Sequence, residues 1–258
     1  MSTCISALLT PSAGKRLIAR AVASLPTMQK ALQNGTVVII AGTTNGYVAE
    51  EILNFIGEGS DFKRNRFFRG VTLPPGTPQT ESGRLPDESA FPGDVVIKNG
   101  RWIKGKTIFD VVDDLQEGDI ILKGANSLEI ETRKAGVLIG HPKGGTIGAA
   151  LQAVVGRRVE LVLPVGVEKR VSGSIEEVAA LVNAPGVKGP RLLPVSGKVV
   201  CELDAIEIIT GAEAKLLAGG GVCGAEGSVW IAVTGTGEQI SKAAAVISEV
   251  QGEPSFRI

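Results

Sequence analysis

The sequence predicts an α/β protein: a three-layer domain with a mostly parallel sheet, followed by a smaller α+β unit near the C-terminus. Three observations predict it. Runs such as TVVIIA (Thr36 to Ala41) and RVELVLPV (Arg158 to Val165) have the nearly unbroken apolar character of strands buried on both faces. These runs alternate with segments of helical spacing, the pattern of strands joined by crossover helices. The 34 glycines among 258 residues are roughly twice ordinary usage, and they fall between apolar runs and not in repeats, as tight strand-to-helix turns require.

Pro11 to Leu25 carries Leu17, Ile18, Ala21, Val22 and Leu25 at helical spacing, with a proline near its start. Pro26 breaks that helix, and Thr27 to Asn34 reads as a second, short one. Thr36 to Ala41 is a buried strand feeding Gly42-Thr43-Thr44-Asn45-Gly46, a loop before a helix from Tyr47 to Ile56. Exposed amides and the helix dipole make that junction suited to an anion. Phe62 to Arg69 (FKRNRFFR) reads either as a clamp for a phosphate or acidic partner, or as a solvated segment with its aromatics tucked into the core. Val71 to Phe91 reads as an ordered loop or flap.

Asp94 to Lys104 is a hairpin, with Asn99-Gly100 suited to a type I′ turn, and Thr107 to Leu115 resembles a short helix. Strands follow at Asp119 to Leu122, Gly136 to Ile139 and Arg158 to Val165. Ser174 and Glu177 have capping-box spacing, which starts a helix running to Val182. The expected division is residues 1–185 for the α/β domain, 186–197 for a proline- and glycine-rich linker, and 198–258 for the α+β unit. In that last unit the reading is strand (Lys198 to Ile209), helix (Gly211 to Leu217), strand (Ser228 to Thr234) and helix (Glu238 to Val250).

Formal net charge is zero and charged residues make up 21%. No global field would draw in nucleic acid or an anionic membrane, so neither is an expected partner. Cys4, Cys201 and Cys223 are scattered and form no CxxC pair, which argues for reduced thiols and a cytoplasmic location. With one histidine, a His/Cys metal cluster is not expected, and no cofactor is implied. The first apolar run lacks a basic segment ahead of it, so it does not read as a signal peptide. No stretch approaches the roughly 18 uninterrupted apolar residues of a membrane span. A homo-oligomer is left open.

Loops at the carboxyl ends of buried strands are where α/β proteins place ligands. Lys123-Gly124-Ala125-Asn126 follows one such strand, and its lysine and amide can hold a carboxylate, phosphate or carbonyl oxygen; a plain strand-end turn is the alternative. Glu129 and Glu131, two apart, are either a carboxylate pair or the exposed side of a strand. His141-Pro142-Lys143-Gly144-Gly145-Thr146 precedes a helix-like segment, so His141 is a candidate acid or base and Lys143, Gly144, Gly145 and Thr146 are candidate anion binders. A helix-capping loop is the other reading. Glu168-Lys169-Arg170 adds charge after a further strand. Cys201 and Cys223 have no histidine nearby to activate them.

In order, these motifs resemble the superfamily of ribose-5-phosphate isomerase A, glucosamine-6-phosphate deaminase and the CoA transferases. TVVIIAG with Thr43-Thr44-Asn45-Gly46 resembles the isomerase's first strand and phosphate loop, and Lys143-Gly144-Gly145 resembles its later Lys-Gly-Gly loop. Lys123-Gly124-Ala125-Asn126 sits where the isomerase has Asp-Gly-Ala-Asp. The run from Gly124 through VELVLPV to Glu168-Lys169-Arg170-Val171 resembles the lactate-utilisation branch. The likeness spans roughly Pro11 to Val182 and implies the fold together with a rim for an anionic ligand. It departs in its acids: Lys123 and Asn126 replace the isomerase's two aspartates, the covalent-glutamate motif of CoA transferases is missing, and Ile139-Gly140-His141 lacks the deaminase's aspartate.

Two functional readings follow. One is an isomerase- or transferase-like enzyme on a sugar phosphate, CoA-like compound or related anionic small molecule, with Gly42, Thr43, Thr44, Asn45, Gly46, Lys123, Gly124, Ala125, Asn126, Lys143, Gly144, Gly145 and Thr146 binding it and His141 or Glu129 moving a proton. The alternative is a non-catalytic metabolite-binding or regulatory protein that lost the family's acids. Nucleic-acid binding through Lys63, Arg64, Arg66 and Arg69 ranks below both.

Overall fold

The apolar runs are paired along one central sheet, in a computed structural model that describes residues 3–69, 72, 76 and 91–257. The expected flap, Val71 to Phe91, lies almost wholly outside the described residues. The chain begins with β1 (Thr3–Leu9), which leads into α1 (Pro11–Ser24) and α2 (Pro26–Asn34). Thr10 caps α1 by accepting a hydrogen bond from the amide of Ala13, and Pro11 fills the first helical position, where no amide is needed. Next come β2 (Thr36–Ile39), α3 (Thr43–Phe55), and the hairpin of β3 (Val95–Lys98) and β4 (Arg101–Trp102). Asn99 and Gly100 both have positive φ, 50° and 75°, as a type I′ turn demands.

After α4 (Ile108–Val111) the order is β5 (Ile120–Leu122), β6 (Ser127–Glu129), β7 (Lys134–Ile139), α5 (Gly145–Arg157) and β8 (Glu160–Pro164). The remainder is α6 (Ile175–Val182), β9 (Arg191–Val195), β10 (Lys198–Val200), α7 (Glu202–Thr210), β11 (Glu213–Gly219), β12 (Val229–Gly235) and α8 (Gly237–Gln251). The architecture is mixed α/β.

The central sheet has the order β10-β8-β5-β2-β3-β4. Its first four strands are parallel neighbours, and the β3–β4 hairpin adds antiparallel to β2. Val37, Val38, Ile39, Ile120, Ile121, Leu122, Val162 and Leu163 are all buried, which explains the absence of polar alternation in these strands. On the helical side, α1 packs against α3, α7 and α8, while α4 packs against α5. Two smaller antiparallel sheets complete the described chain, β1-β12-β11 and β6-β7-β9.

Several expectations differ from the structure. The segment read as a linker, 186–197, contains β9, which pairs with β7 from Ala135 to Ile139. The C-terminal segment is tied to the rest of the chain at two places: β10 joins the central sheet beside β8, and β12 pairs along its whole length with β1. Lys198 to Ile209 is not one strand. It turns helical at Glu202, where Asp204 accepts a hydrogen bond from the amide of Cys201 at 2.9 Å, and Leu203, Ala205 and Ile206 are buried at helical spacing. Gly211, with φ 72°, ends that helix in the left-handed conformation. Glu213 to Gly219 is an edge strand and not a helix, because pairing with β12 overrides the helix preference of its Ala, Lys and Leu residues.

Candidate functional site

The carboxyl ends of the four parallel strands place Gly42, Lys123, Glu168 and Glu202 along one end of the central sheet, just beyond β2, β5, β8 and β10. Thr43, Thr44, Asn45 and Gly46 were expected as a loop; they form the first turn of α3, which begins four residues earlier than the periodicity suggests. Gly42 caps the helix in extended conformation. The Asn45 side-chain amide donates to the carbonyls of Ile40 (2.7 Å) and Leu122 (3.1 Å), bolting this turn across the ends of β2 and β5. Among the described residues, the Thr44 hydroxyl and the Asn45 carbonyl oxygen are buried and have no hydrogen-bond partner. Buried polar groups normally have one, so this turn retains unused capacity for a ligand or water.

Lys123 lies one residue beyond β5 and is half-buried. Its Nζ donates to the neighbouring carbonyl of Gly124 at 3.1 Å, and no carboxylate of the described residues is within ion-pair distance of it. Burial first, then the positive charge of Lys169, push its pKa down to about 8; Asp94 opposes the shift and Arg69 adds to it. Asp94 is fully buried at the start of β3 and already engaged. It accepts from the amides of Ala41 (2.9 Å) and Ile108 (2.8 Å) and from the Arg69 guanidinium (3.0 Å). Lys169 donates to the carbonyl of Ala125 at 2.8 Å, and burial lowers its pKa as well, against the pull of Glu168.

A second cluster adjoins this one. The buried carboxyl of Glu202 accepts from the amide of Val167 at 2.8 Å. Burial, and then the charge of Glu168, raise its pKa well above the carboxylate range, so it holds its proton near neutral pH. Glu168 is 3.6 Å from Lys15 of α1. Glu202 approaches the backbone of α1 so closely that a Cβ at Gly14 would fall 2.3 Å from its Oε1, which accounts for a glycine inside that helix.

Other expected site residues have structural employment. Glu129 was read as a candidate acid; instead its carboxylate accepts from the Thr132 hydroxyl (2.6 Å) and from the amide of Ile175 at the start of α6 (3.1 Å), so it caps that helix. These two bonds also hold its pKa below the usual value. A cavity of about 360 Å³ beside it is lined by Glu129, Glu131, Arg170, Gly173 and Ser174 among others. Asn126 accepts from the amide of Leu138, near the end of β7, at 3.0 Å. Ala125 is buried, and its carbonyl serves Lys169.

His141 does not follow a strand of the central sheet. It follows β7, a strand of the smaller β6-β7-β9 sheet, and both it and Lys143 are exposed. The Lys143 amide donates to His141 Nδ1 (3.1 Å), and Arg191 of β9 donates to the carbonyls of Gly140 and His141. Gly144 and Gly145 have positive φ and turn the chain into α5, of which Thr146 is the second residue. Gly42, Thr43, Thr44, Asn45, Lys123 and Gly124 lie at the adjoining ends of β2 and β5, whereas the described side-chain bonds of His141 and Glu129 go to other residues.

Sequence reasoning missed Asp94, Lys15 and Glu202, and it ranked Arg69 and Lys169 low. Asp94 was hidden inside a segment read as a hairpin, and Glu202 inside a presumed strand. The one available signal was position, an acid or base directly beyond an apolar run. Within Phe62 to Arg69, Lys63 is exposed and Arg64 points inward. Arg64 stacks 3.8 Å above the Tyr47 ring and pairs with Glu50 and Glu253, while Phe67 and Phe68 are buried. Cys201 is buried, and burial drives its thiol pKa up, which leaves it no nucleophilic character. Among the described residues no cluster of His, Cys, Asp and Glu could hold a metal ion, and no helix is long and apolar enough to cross a membrane. No family model, curated protein or solved structure matches the chain.

Proposed function

We propose that this chain binds a small anionic metabolite, a sugar phosphate or CoA-like compound, across the carboxyl ends of β2, β5 and β8. The observation that carries the reading is Lys123: a half-buried lysine beside a second half-buried lysine, Lys169, with no described carboxylate in ion-pair reach. Burying a charge without a partner is expensive, and a bound anion would supply the partner. The first turn of α3 adds outward amides and the unused Thr44 hydroxyl at the same end of the sheet. Room is present too, since among the described residues a Cβ built on Gly42 or Gly124 would meet no atom within 4 Å.

The three-layer arrangement of the sugar-phosphate isomerase and CoA-transferase superfamily, a cytoplasmic location and an isomerase- or transferase-like reaction belong to this proposal. A second reading, a non-catalytic binding protein, is favoured by Lys123 and Asn126 standing where the isomerase carries aspartates, with Asn126 committed to the backbone of β7. The test is a thermal-shift titration with orthophosphate, glucose 6-phosphate and coenzyme A. Ligand at about 100 times its Kd adds about 2.7 kcal/mol to the folded state. The expected result is a rise in Tm with at least one of these compounds, and no rise in Lys123→Met or Lys169→Met. Equal shifts in both variants and wild type, or none anywhere, overturn the proposal.

A further inference from the structure

We infer that Lys123 is a nucleophilic amine that condenses with a carbonyl group on the bound anion to form an imine. The inference rests on the anion-site reading above and names the class of compound: a metabolite carrying both an anionic group and an aldehyde or ketone.

Position comes first. Lys123 lies at the end of a central parallel strand, with its side chain half-buried and so within reach of a molecule entering from solvent. Its described hydrogen bond goes to the Gly124 carbonyl at 3.1 Å, an acceptor that a neutral amine satisfies as well as an ammonium does. The charges around it disfavour the ammonium. Lys169 and Arg69 repel it, and the opposing carboxylate of Asp94 is taken up by Arg69 and by two backbone amides. Desolvation together with neighbouring cations is one of the ways proteins activate a lysine, and here it brings the pKa to about 8. At pH 7.5 such a lysine has a free-amine fraction larger by about two-hundredfold than one at the ordinary value.

Space and chemistry agree with this placement. Among the described residues, a Cβ added at Gly124, next to Lys123, or at Gly42, on the neighbouring strand end, meets no atom within 4 Å. Lys169, anchored on the Ala125 carbonyl, is the side chain placed for the anionic end of the same molecule. In the reaction the Nζ lone pair attacks the carbonyl carbon and a C–N bond forms. The carbonyl oxygen then leaves as water with the two amine hydrogens, with no change of oxidation state.

The experiment uses the full chain with pyridoxal 5′-phosphate as the probe, an aldehyde that also carries a phosphate. Trapping with sodium borohydride reduces the imine to a stable secondary amine, and peptide mass spectrometry then identifies the labelled lysine. Lys123 is expected to label at least tenfold faster than the mean of the other lysines at pH 7.5. Its rate should level off above about pH 8, whereas exposed lysines keep accelerating towards about 10.5, and excess orthophosphate should slow Lys123 alone. Label spread over exposed lysines, with Lys123 unmodified while orthophosphate still raises Tm, overturns the imine and leaves the anion site standing. Fast labelling of Lys123 that plateaus but is indifferent to orthophosphate, with no shift in Tm, upholds the amine and removes the anion reading.

Discussion

Replacing Lys123 with methionine should make the ligand-free protein more stable at neutral pH. The folded state holds this lysine at about 8 against an ordinary 10.5, and at 1.36 kcal/mol per pH unit that gap corresponds to about 3 kcal/mol against the charged form. Water still reaches part of the side chain, so a gain of about 1–3 kcal/mol is the working range. The sign follows from proton counting. Between about 8 and 10.5 the unfolded chain binds more protons at this site than the folded one, so wild-type stability rises with pH through that window. Below it the whole penalty is present.

Lys123→Met, which titrates at neither end, should therefore lead wild type by about 1–3 kcal/mol at pH 7 and lose that lead by about pH 10.5. Urea unfolding at pH 7, 8, 9 and 10.5, followed by the fluorescence of Trp102 and Trp230, measures the difference, and all other titrations cancel between the two proteins. A variant that is less stable at pH 7 by a margin independent of pH would refute the reasoning, because Lys123 would then be a structural residue acting through its bond to Gly124. A gain in stability coupled to a lost phosphate response is the pattern of a residue held for binding and not for folding.

Three further predictions concern the groups around it. Asp94→Ala strips the acceptor from two buried amides and from Arg69, and should cost about 3–5 kcal/mol in urea unfolding; a loss below about 1 kcal/mol would contradict the described bonding. Glu202 has a raised folded pKa, so its contribution is complete below the unfolded carboxylate value and declines as pH climbs through the folded one. Glu202→Gln should accordingly gain on wild type between pH 5 and pH 9, and parallel stability curves for the two proteins would show the carboxyl to be ionised throughout. Gly14→Ala sets a helix-propensity gain of about 1 kcal/mol against displacement of Glu202 from the Val167 amide, worth about 1–3 kcal/mol, so a net loss of about 1 kcal/mol is expected. That loss should vanish in a Glu202→Ala background, and an additive double mutant would sink the explanation.

Local chemistry is what the sequence by itself determined. The β-branched run at Thr36–Ile39, the Asn99-Gly100 turn, Pro11 opening α1 and Ser174 capping α6 each act through their own backbone and near neighbours, and each was legible. The glycine loops beyond the strands likewise pointed to one end of the sheet, and Lys123 was among the residues singled out there. Tertiary structure decided which strands share a sheet and where the charges meet. Nothing within Gly136 to Ile139 shows that β7 pairs with β9 instead of joining the central sheet, so the strand preceding His141 could not be assigned to its sheet. The same limit applies to Glu202. Its proton depends on Glu168, Val167 and Gly14, residues 34 to 188 positions away along the chain, whose proximity arises only when β10 adds beside β8 and α1 packs against α7. Burial and opposing charge are properties of that assembled environment, and they turn ordinary acids and bases into groups poised near neutral pH.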